Sequence, residues 1–383
     1  MYISEQSHES NNMPRTPSTI AWCDKLCDAA IAHVEAAWRG PACLVNRPNN
    51  DPARPTWFRS IWLPIMSSLC SGFTCIVVYL LTYIMRLHDY INIRLTKASR
   101  PLVPGVRVER IKIRSRDEGR YIDAIKYSPA NASAPLPVHL SWHASGWLLK
   151  RLGLDSFMHA TFAKRLNAIV LDCDYRKGPE EKYPTAQNDC EDAVAHVLSY
   201  PQKYDVNRLT LGGSSAGGCM ALVTAAKFGP KIKGVFSLYP VTEMVPIDQI
   251  AAKKVSPNKK YNSGVYLVPW MFKVFIRAYA NSEDEFKQPR FSPYYGDVSK
   301  LPNHILLACG DADTLYHDSR MLYEKIQREG SVAQKRGTEF LTIPNESHEF
   351  NNMPKTPETI AWRDKLYDAA IAMIQAAWSD NSL

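Results

Sequence analysis

The sequence predicts an α/β fold, with a mainly parallel β-sheet covered by helices on both faces. Three observations support this prediction. From Val106 onward, strand-like and helix-like segments alternate, which is typical of a parallel sheet with crossover helices. A glycine-rich turn at residues 212–218 joins an apolar run to a helix-like run. The chain has 383 residues, 45% of them hydrophobic and 22% charged, which is enough to bury a large core.

The predicted elements follow one another in chain order. Strands are predicted at 106–113, 121–127, 137–142, 168–175, 208–212, 234–239, 304–309 and 340–343. Helices are predicted at 155–166, 186–200, 219–227, 268–280, 319–329 and 356–378. The last helix has Thr356 as its N-cap and Pro357 at its first helical position. Residues 241–300 form a long insertion that interrupts the alternation.

The turn at 212–218 reads Gly-Gly-Ser-Ser-Ala-Gly-Gly. A G-x-S-x-G between a strand and a helix is typical of a nucleophile elbow, in which only small neighbours fit around the serine. Gly213 and Gly217 frame Ser215, whereas a nucleophilic Ser214 would put Ala216 where the second glycine belongs. We therefore predict Ser215 as the nucleophile. Taken alone, the motif could also be a glycine-rich turn without chemistry.

Acyl transfer by a serine needs a base, a group that orients the base, and donors for the oxyanion. In this type of fold the acid and then the histidine follow the serine along the chain. Asp313 comes after the predicted strand 304–309, and His348 comes after the predicted strand 340–343. Both leave the carboxyl ends of strands, where parallel sheets place their sites. Singly, Asp313 could be a helix N-cap and His348 a loop residue.

Several further motifs accompany these three residues. They are His143-Ala144-Ser145-Gly146-Trp147, Asp174-Tyr175-Arg176 with Pro179-Glu180, Pro184, Ala186 and Asp189, Ser292-Pro293, Leu301-Pro302, Asp313-x-Leu315 and His348-x-Phe350. With the elbow, they make the sequence resemble the hormone-sensitive-lipase-like branch of the α/β hydrolases. The resemblance runs from about Val106 to Trp378.

The resemblance implies an α/β-hydrolase fold with a cap, built from N-terminal helices and the insertion at 241–300. It implies a catalytic triad of Ser215, Asp313 and His348, with Asp311 as the second choice for the acid. It also implies an oxyanion hole formed by the backbone N–H groups of Ser145, Gly146 and Ala216. The sequence departs from the family pattern in two places.

The first departure is His143-Ala144-Ser145-Gly146, which stands where the family has H-G-G-G. The hole uses backbone donors, so this change is compatible with function if Ala and Ser suit the local φ and ψ angles. The second is Ser214, which replaces the aspartate usual before the nucleophile.

The sequence thus predicts a serine carboxylester hydrolase that acts on an apolar small-molecule ester. The aromatic and apolar residues of the insertion favour an apolar substrate: Tyr261, Tyr266, Trp270, Met271 and Phe272. They could also be simply core residues. One alternative is an acyltransferase with the same triad. The other is a non-catalytic ligand-binding homologue like the gibberellin receptors, which lack the histidine present here as His348.

Composition excludes several other classes. The formal net charge is +8, from 46 Lys and Arg against 38 Asp and Glu, but the basic residues are scattered and no nucleic-acid-binding motif accompanies them. The nine cysteines form neither a disulfide framework nor zinc-like spacing with histidine. We expect no metal and no organic cofactor. The oligomeric state is left open.

The N-terminal part divides into two predicted regions before the catalytic domain at 101–383. Residues 1–58 hold a copy of a later segment: 3–38 repeat 343–378, with 11 of 36 positions different and 25 identical. A tandem-gene fusion or a mispredicted gene start would each produce such a copy. In the region 59–100, the run 60–85 has no charge and is long enough for a membrane anchor. It could instead be a lipid-facing or active-site-covering helix. The expected location is therefore membrane-associated, for example single-pass in the endoplasmic reticulum, or cytoplasmic.

Overall fold

An eight-stranded sheet organises the protein, for which a computed structural model describes residues 76–91, 103–131, 133 and 135–380. The strands are β1 (Val106–Arg114), β2 (Tyr121–Pro129), β3 (Leu136–Trp142), β4 (Ile169–Cys173), β5 (Tyr204–Ser214), β6 (Gly234–Leu238), β7 (His304–Gly310) and β8 (Thr338–Ile343). Their order in the sheet is β1-β2-β4-β3-β5-β6-β7-β8. Only the pairs that involve β2 are antiparallel. The predicted mainly parallel sheet is confirmed.

Helices connect the strands and cover both faces of the sheet. They are α1 (76–91), α2 (Ser156–Leu166), α3 (Thr185–Leu198), α4 (Ala216–Phe228), α5 (Ile250–Lys253), α6 (Pro269–Tyr279), α7 (Tyr316–Glu329), α8 (Val332–Gly337) and α9 (Pro357–Ser379). As predicted, Thr356 caps α9: its side chain accepts a hydrogen bond from the Thr359 N–H at 3.1 Å.

Two apolar cores lie on opposite faces of the sheet. Apolar residues of α3, α4 and α7 pack in one core, and those of α2 and α9 pack in the other. Within β7, Leu307 belongs to the first core and its neighbour Leu306 to the second. This alternation follows from the two-residue period of a strand. Burial on both faces explains why the central strands read as continuous apolar runs.

Several elements differ from the sequence prediction: α4 begins at Ala216, three residues early, the short helix α5 was not predicted, and β5, α7 and α8 also differ. β5 begins at Tyr204 rather than 208, because Tyr204 and Asp205 pair with the start of β3 across a register shift after Pro137. α7 begins at Tyr316, three residues earlier than predicted. The short helix α8 was not predicted, although it carries a capping box between Ser331 and Gln334.

The side chain of Arg86 holds helix α1 against the rest of the fold. The Arg86 guanidinium makes two hydrogen bonds to the Glu180 carboxylate, at 2.5 and 2.8 Å, and also donates to the carbonyl oxygens of Leu148 and Gly178. The described residues from 78 onward form one compact unit.

The anchor predicted over 60–85 lies mostly outside the described residues, and so do the duplicated segment and the region 1–58. Residues 76–85 belong to α1. Within the described part of the chain, no helix combines the length and the hydropathy needed to cross a bilayer.

Candidate active site

The turn between β5 and α4 has the geometry of an elbow. Ser215 has φ 55° and ψ −118°, a conformation that is unfavourable for a residue with a side chain. Its backbone N–H donates to the Leu238 carbonyl at 2.8 Å. A Cβ on Gly217 would overlap the carbonyl oxygen of Trp142, and a Cβ on Gly213 would lie 2.5 Å from the carbonyl carbon of Gly217. The two glycines of the motif are therefore required by close backbone contacts.

Ser215, His348 and Asp313 form a continuous chain of hydrogen bonds. His348 Nε2 lies 3.0 Å from Ser215 Oγ, and His348 Nδ1 lies 2.7 Å from Asp313 Oδ2. All three residues are buried, Asp313 completely. They follow β5, β8 and β7 respectively, so one edge of the sheet brings together residues that are up to 133 positions apart. This arrangement suits a nucleophile, its base and the group that orients the base.

Asp311, the second choice for the acid, lies away from this chain. Its Oδ1 accepts hydrogen bonds from the Asn345 backbone N–H at 2.8 Å and from the Asn258 side chain at 3.4 Å. It therefore ties the loop after β8 to the insertion. The structure brings Asp313, and not Asp311, to the imidazole.

The predicted oxyanion loop follows β3. Gly146 and Trp147 have positive φ angles of 57° and 56°, while Ala144 and Ser145 do not. The replacements of the family's glycines thus fall where ordinary residues fit. The Ser145 side chain also stabilises the loop: its Oγ accepts a hydrogen bond from the Trp147 N–H at 2.9 Å and lies 2.5 Å from the Tyr175 hydroxyl. Ser145, Gly146 and Ser215 all line one cavity.

His143 anchors the start of this loop. Its ring stacks on Tyr175 at 4.8 Å, and its Nε2 lies 3.2 Å from Asp174 Oδ1. Lys177 Nζ donates to the same oxygen at 2.7 Å. Burial raises the pKa of Asp174, but Lys177 and His143 outweigh it and hold that pKa well below its ordinary value. Asp174 and Tyr175 therefore fix His143 at the start of the predicted oxyanion loop.

Tyr239 and Asp155 lie close to the hydrogen-bonded chain, and the sequence did not predict either of them as a site residue. The Tyr239 ring centroid lies 4.4 Å from that of His348, and its hydroxyl donates to Asn351 Oδ1 at 2.7 Å. The buried Asp155 carboxylate accepts hydrogen bonds from Asn352 Nδ2 at 2.6 Å and from Ser214 Oγ at 3.4 Å. Burial raises the pKa of Asp155. Because Asp155 is 59 and 197 residues from these partners, no local pattern could have found it.

The cavity over Ser215 has a mostly apolar wall. Its apolar residues from α6 are Met271, Phe272, Phe275 and Ile276. Of the five residues predicted from the sequence, Met271 and Phe272 line the cavity. Tyr261, Tyr266 and Trp270 do not, and the two tyrosine rings stack on each other. The wall also includes Lys254, which lies 2.5 Å from Asp318. Within the described residues, no cluster of three His, Cys, Asp or Glu side chains could hold a metal ion.

Comparison with known proteins assigns the family. The model of the alpha/beta hydrolase fold family matches residues 139–375. The chain belongs to this family. The fold and the family predicted from the sequence are thereby confirmed.

Among its relatives are named esterases. A versiconal hemiacetal acetate esterase of Dothistroma septosporum is 31% identical over 69% of this chain and 81% of its own length. An ethyl acetate hydrolase of Pseudomonas putida is 26% identical over 59% of this chain and 68% of its own length. These relatives confirm the predicted class of this hydrolase, a carboxylic ester hydrolase.

Solved structures show the same fold. EstE1, a thermostable carboxylesterase cloned from a metagenomic library, superposes with a TM-score of 0.67 at 24% identity. The match covers 78% of this hydrolase and 98% of that chain. An esterase from Rhizomucor miehei gives a TM-score of 0.65 at 21% identity and covers 78% and 90%.

Proposed function

We propose that this enzyme hydrolyses apolar small-molecule carboxylic esters, with Ser215 as nucleophile, His348 as general base and acid, and Asp313 as the orienting carboxylate. The observation that supports these roles is the chain of two hydrogen bonds, 3.0 Å from serine to histidine and 2.7 Å from histidine to aspartate. Nucleophile and base within hydrogen-bond reach, with the base held by a third group, is the arrangement that activates a serine.

Hydrolysis proceeds in two steps. Ser215 Oγ attacks the ester carbonyl while His348 Nε2 accepts the hydroxyl proton, and Asp313 holds the proton on Nδ1. Backbone N–H groups of Ser145, Gly146 and Ala216 stabilise the tetrahedral oxyanion. Collapse expels the alcohol, which takes the proton from His348 and leaves an acyl-Ser215 ester. Water, deprotonated by His348, then attacks this ester and releases the carboxylic acid and the free serine.

The cavity wall supports an apolar substrate with a short acyl group. The charged side chains on the wall are each paired with an opposite charge, as Lys254 is with Asp318. The Phe275 ring covers Gly146 so closely that a Cβ there would lie 2.8 Å from the ring, which limits the space beside the oxyanion site. Two relatives are named for acetate esters, which agrees with a short acyl group.

The test of the nucleophile is a matched pair of serine variants. We expect Ser215→Ala to remove both p-nitrophenyl acetate hydrolysis and covalent labelling by a fluorophosphonate, because the attacking oxygen is gone. Ser214→Ala should keep the labelling, because Ser214 Oγ points to Asp155 and not to His348. Equal labelling of the two variants contradicts the assignment of Ser215.

The substrate proposal is tested with p-nitrophenyl esters of increasing acyl length. We expect kcat/KM to be highest for short acyl groups, and Phe275→Ala to move the optimum to longer ones. The control Tyr261→Ala, at an exposed site outside the cavity lining, should leave the profile unchanged. Product analysis with an added alcohol separates hydrolysis from acyl transfer: a new ester as the main product would indicate an acyltransferase.

A further inference from the structure

Arg151 connects helix α1 to the loop that carries His348. Its guanidinium donates to Asp89 Oδ1 from Nε at 2.9 Å and from Nη2 at 2.5 Å, and Nη1 pairs with Glu349 Oε1. The three side chains are largely buried, with exposed fractions of 14% for Arg151, 10% for Asp89 and 8% for Glu349. Arg151 and Glu349 line the same cavity as Ser215 and His348. One arginine is thus shared by two carboxylates at the edge of the active site.

Glu349 directly follows His348 and has an unfavourable backbone conformation. Its φ is 59°, in the left-handed region that costs conformational energy for a residue with a Cβ. Backbone hydrogen bonds hold this segment on both sides, from the Val265 N–H to the His348 carbonyl and from the Asn352 N–H to the Glu349 carbonyl. A strained residue kept beside a reacting group indicates a functional constraint.

We infer that Asp89, Arg151 and Glu349 form a charge chain that positions His348 and sets the pH range in which its imidazole is the free base. Arg151 is the positioning residue of this chain, and Asp89 brings α1 into it. The inference rests on the proposed role of His348 as the base.

The groups around His348 determine how strongly the charge chain can affect its imidazole. His348 is faced by Asp313, the Ser215 hydroxyl and the Tyr239 ring. Tyr239 in turn interacts electrostatically with Glu349 and Asp155, and Tyr175 with Arg151. Lys254, another cation on the cavity wall, is paired with Asp318.

The charge state of Arg151 follows from its partners. Burial lowers the pKa of Arg151, but Glu349 and Asp89 outweigh it and hold that pKa above its ordinary value. The guanidinium therefore stays charged.

Neutralising members of the chain should move the acidic limb of the pH–rate profile in opposite directions. Arg151→Met leaves two carboxylates without a cation, which favours protonated His348 and moves the limb up by about one pH unit. At pH values below the limb, kcat/KM of Arg151→Met should therefore be about tenfold lower than that of the wild type. Glu349→Gln and Asp89→Asn each leave Arg151 with a single carboxylate, which disfavours the imidazolium and moves the limb down. The two directions of the shift follow the sign of the charge that each variant removes. A loosening of the packing around His348 that is common to all variants would not follow those signs.

Backbone strain is separated from charge by a second change at residue 349. Glu349→Gly removes the charge and also relieves the left-handed conformation, whereas Glu349→Gln removes only the charge. We expect the same downward shift in both variants. The control Lys112→Met breaks an exposed ion pair on the β1–β2 hairpin and should move nothing.

The experiment measures kcat/KM for p-nitrophenyl acetate from pH 4 to 9, together with the NMR titration of the His348 ring, assigned with His348→Gln. The NMR titration does not depend on turnover. If Ser215→Ala retains activity, the proposed function fails while the titration still tests the charge chain. Shifts in one direction for all variants, or none in variants that remain folded, would overturn the inference.

Discussion

Gly217 and Trp142 approach so closely that a methyl group on the glycine would overlap the tryptophan carbonyl oxygen. The contact joins the start of α4 to the end of β3, the strand that leads into the oxyanion loop. The second glycine of the elbow motif therefore sets the distance between Ser215, the proposed nucleophile, and the predicted oxyanion loop, in addition to allowing the turn.

Gly217→Ala should accordingly remove activity and strongly destabilise the fold. Forcing a methyl group into close-packed backbone displaces β3 or α4, and we expect a loss of about 3 kcal/mol in the free energy of unfolding. Urea unfolding and p-nitrophenyl acetate turnover measure the two effects. Gly119→Ala is the control, because its Cβ would meet open space and only its φ of 72° is unfavourable. It should cost about 1 kcal/mol and leave kcat unchanged. Equal losses in the two variants would contradict this explanation.

The two candidate acids are distinguished by paired asparagine substitutions. Asp313→Asn keeps the side-chain shape but can no longer hold the proton on His348 Nδ1, so kcat should fall by about 10⁴-fold. Asp311→Asn alters only hydrogen bonds to Asn345 and Asn258, and kcat should stay within a few fold of the wild type. A larger loss of kcat in the Asp311 variant would reverse the assignment.

His139 makes the folded state sensitive to acid. It is fully buried in β3, with Nδ1 3.0 Å from Thr210 Oγ1. Burial, and to a smaller extent His159, lowers its pKa to about 3. In the unfolded chain a histidine titrates near 6.5, so the unfolded state takes up a proton first. The free energy of unfolding should therefore fall as the pH drops from about 6.5 to about 3.

His139→Leu removes this proton uptake and should flatten the pH dependence of stability. The difference in slope from the wild type should approach 1.4 kcal/mol per pH unit, about one proton. Urea unfolding at several pH values between 4 and 7 measures it. His317→Leu, on the exposed surface of α7, is the matched control and should follow the wild type. Parallel curves for the wild type and His139→Leu would show that His139 does not carry this sensitivity.

The duplicated segment contains a histidine, His8, that matches His348, and we expect only His348 to act as the base. His8 lies outside the described residues, whereas His348 follows β8 and contacts both Ser215 and Asp313. Asp313 is fully buried, with Oδ2 bonded to His348 and Oδ1 to the Leu315 N–H, so His8→Ala should keep full turnover. His348→Ala should lose at least about 10³-fold in kcat. Activity that survives in His348→Ala and disappears in the double variant would mean that the N-terminal copy can substitute.

Local signals account for the part of the fold and site that the sequence predicted. The apolar runs that became β6 and β7 were readable because both faces of a central strand are buried. Ser215 could be proposed as the nucleophile because the elbow conformation restricts the neighbouring residue types to small ones. The capping box of α8 was also a readable local signal and was overlooked.

Contacts between distant residues could not be predicted in this way. Arg151 is 62 residues from Asp89 and 198 from Glu349, and each of the three resembles an ordinary surface charge in the sequence. The position of β4 between β2 and β3 is likewise a property of the whole sheet. Such contacts depend on packing, which no single window of sequence contains.

The placement of the hydrogen-bonded chain at the ends of β5, β7 and β8 makes hydrolysis a reporter of strand alignment. The path through the sheet from Ser215 to His348 crosses three parallel pairings, β5 with β6, β6 with β7 and β7 with β8. A slip of one residue in any of them moves a side chain by about 3.3 Å along the strand and to the opposite face. No hydrogen bond of 3.0 Å survives such a displacement. A partly folded form with these pairings misaligned would therefore be inactive.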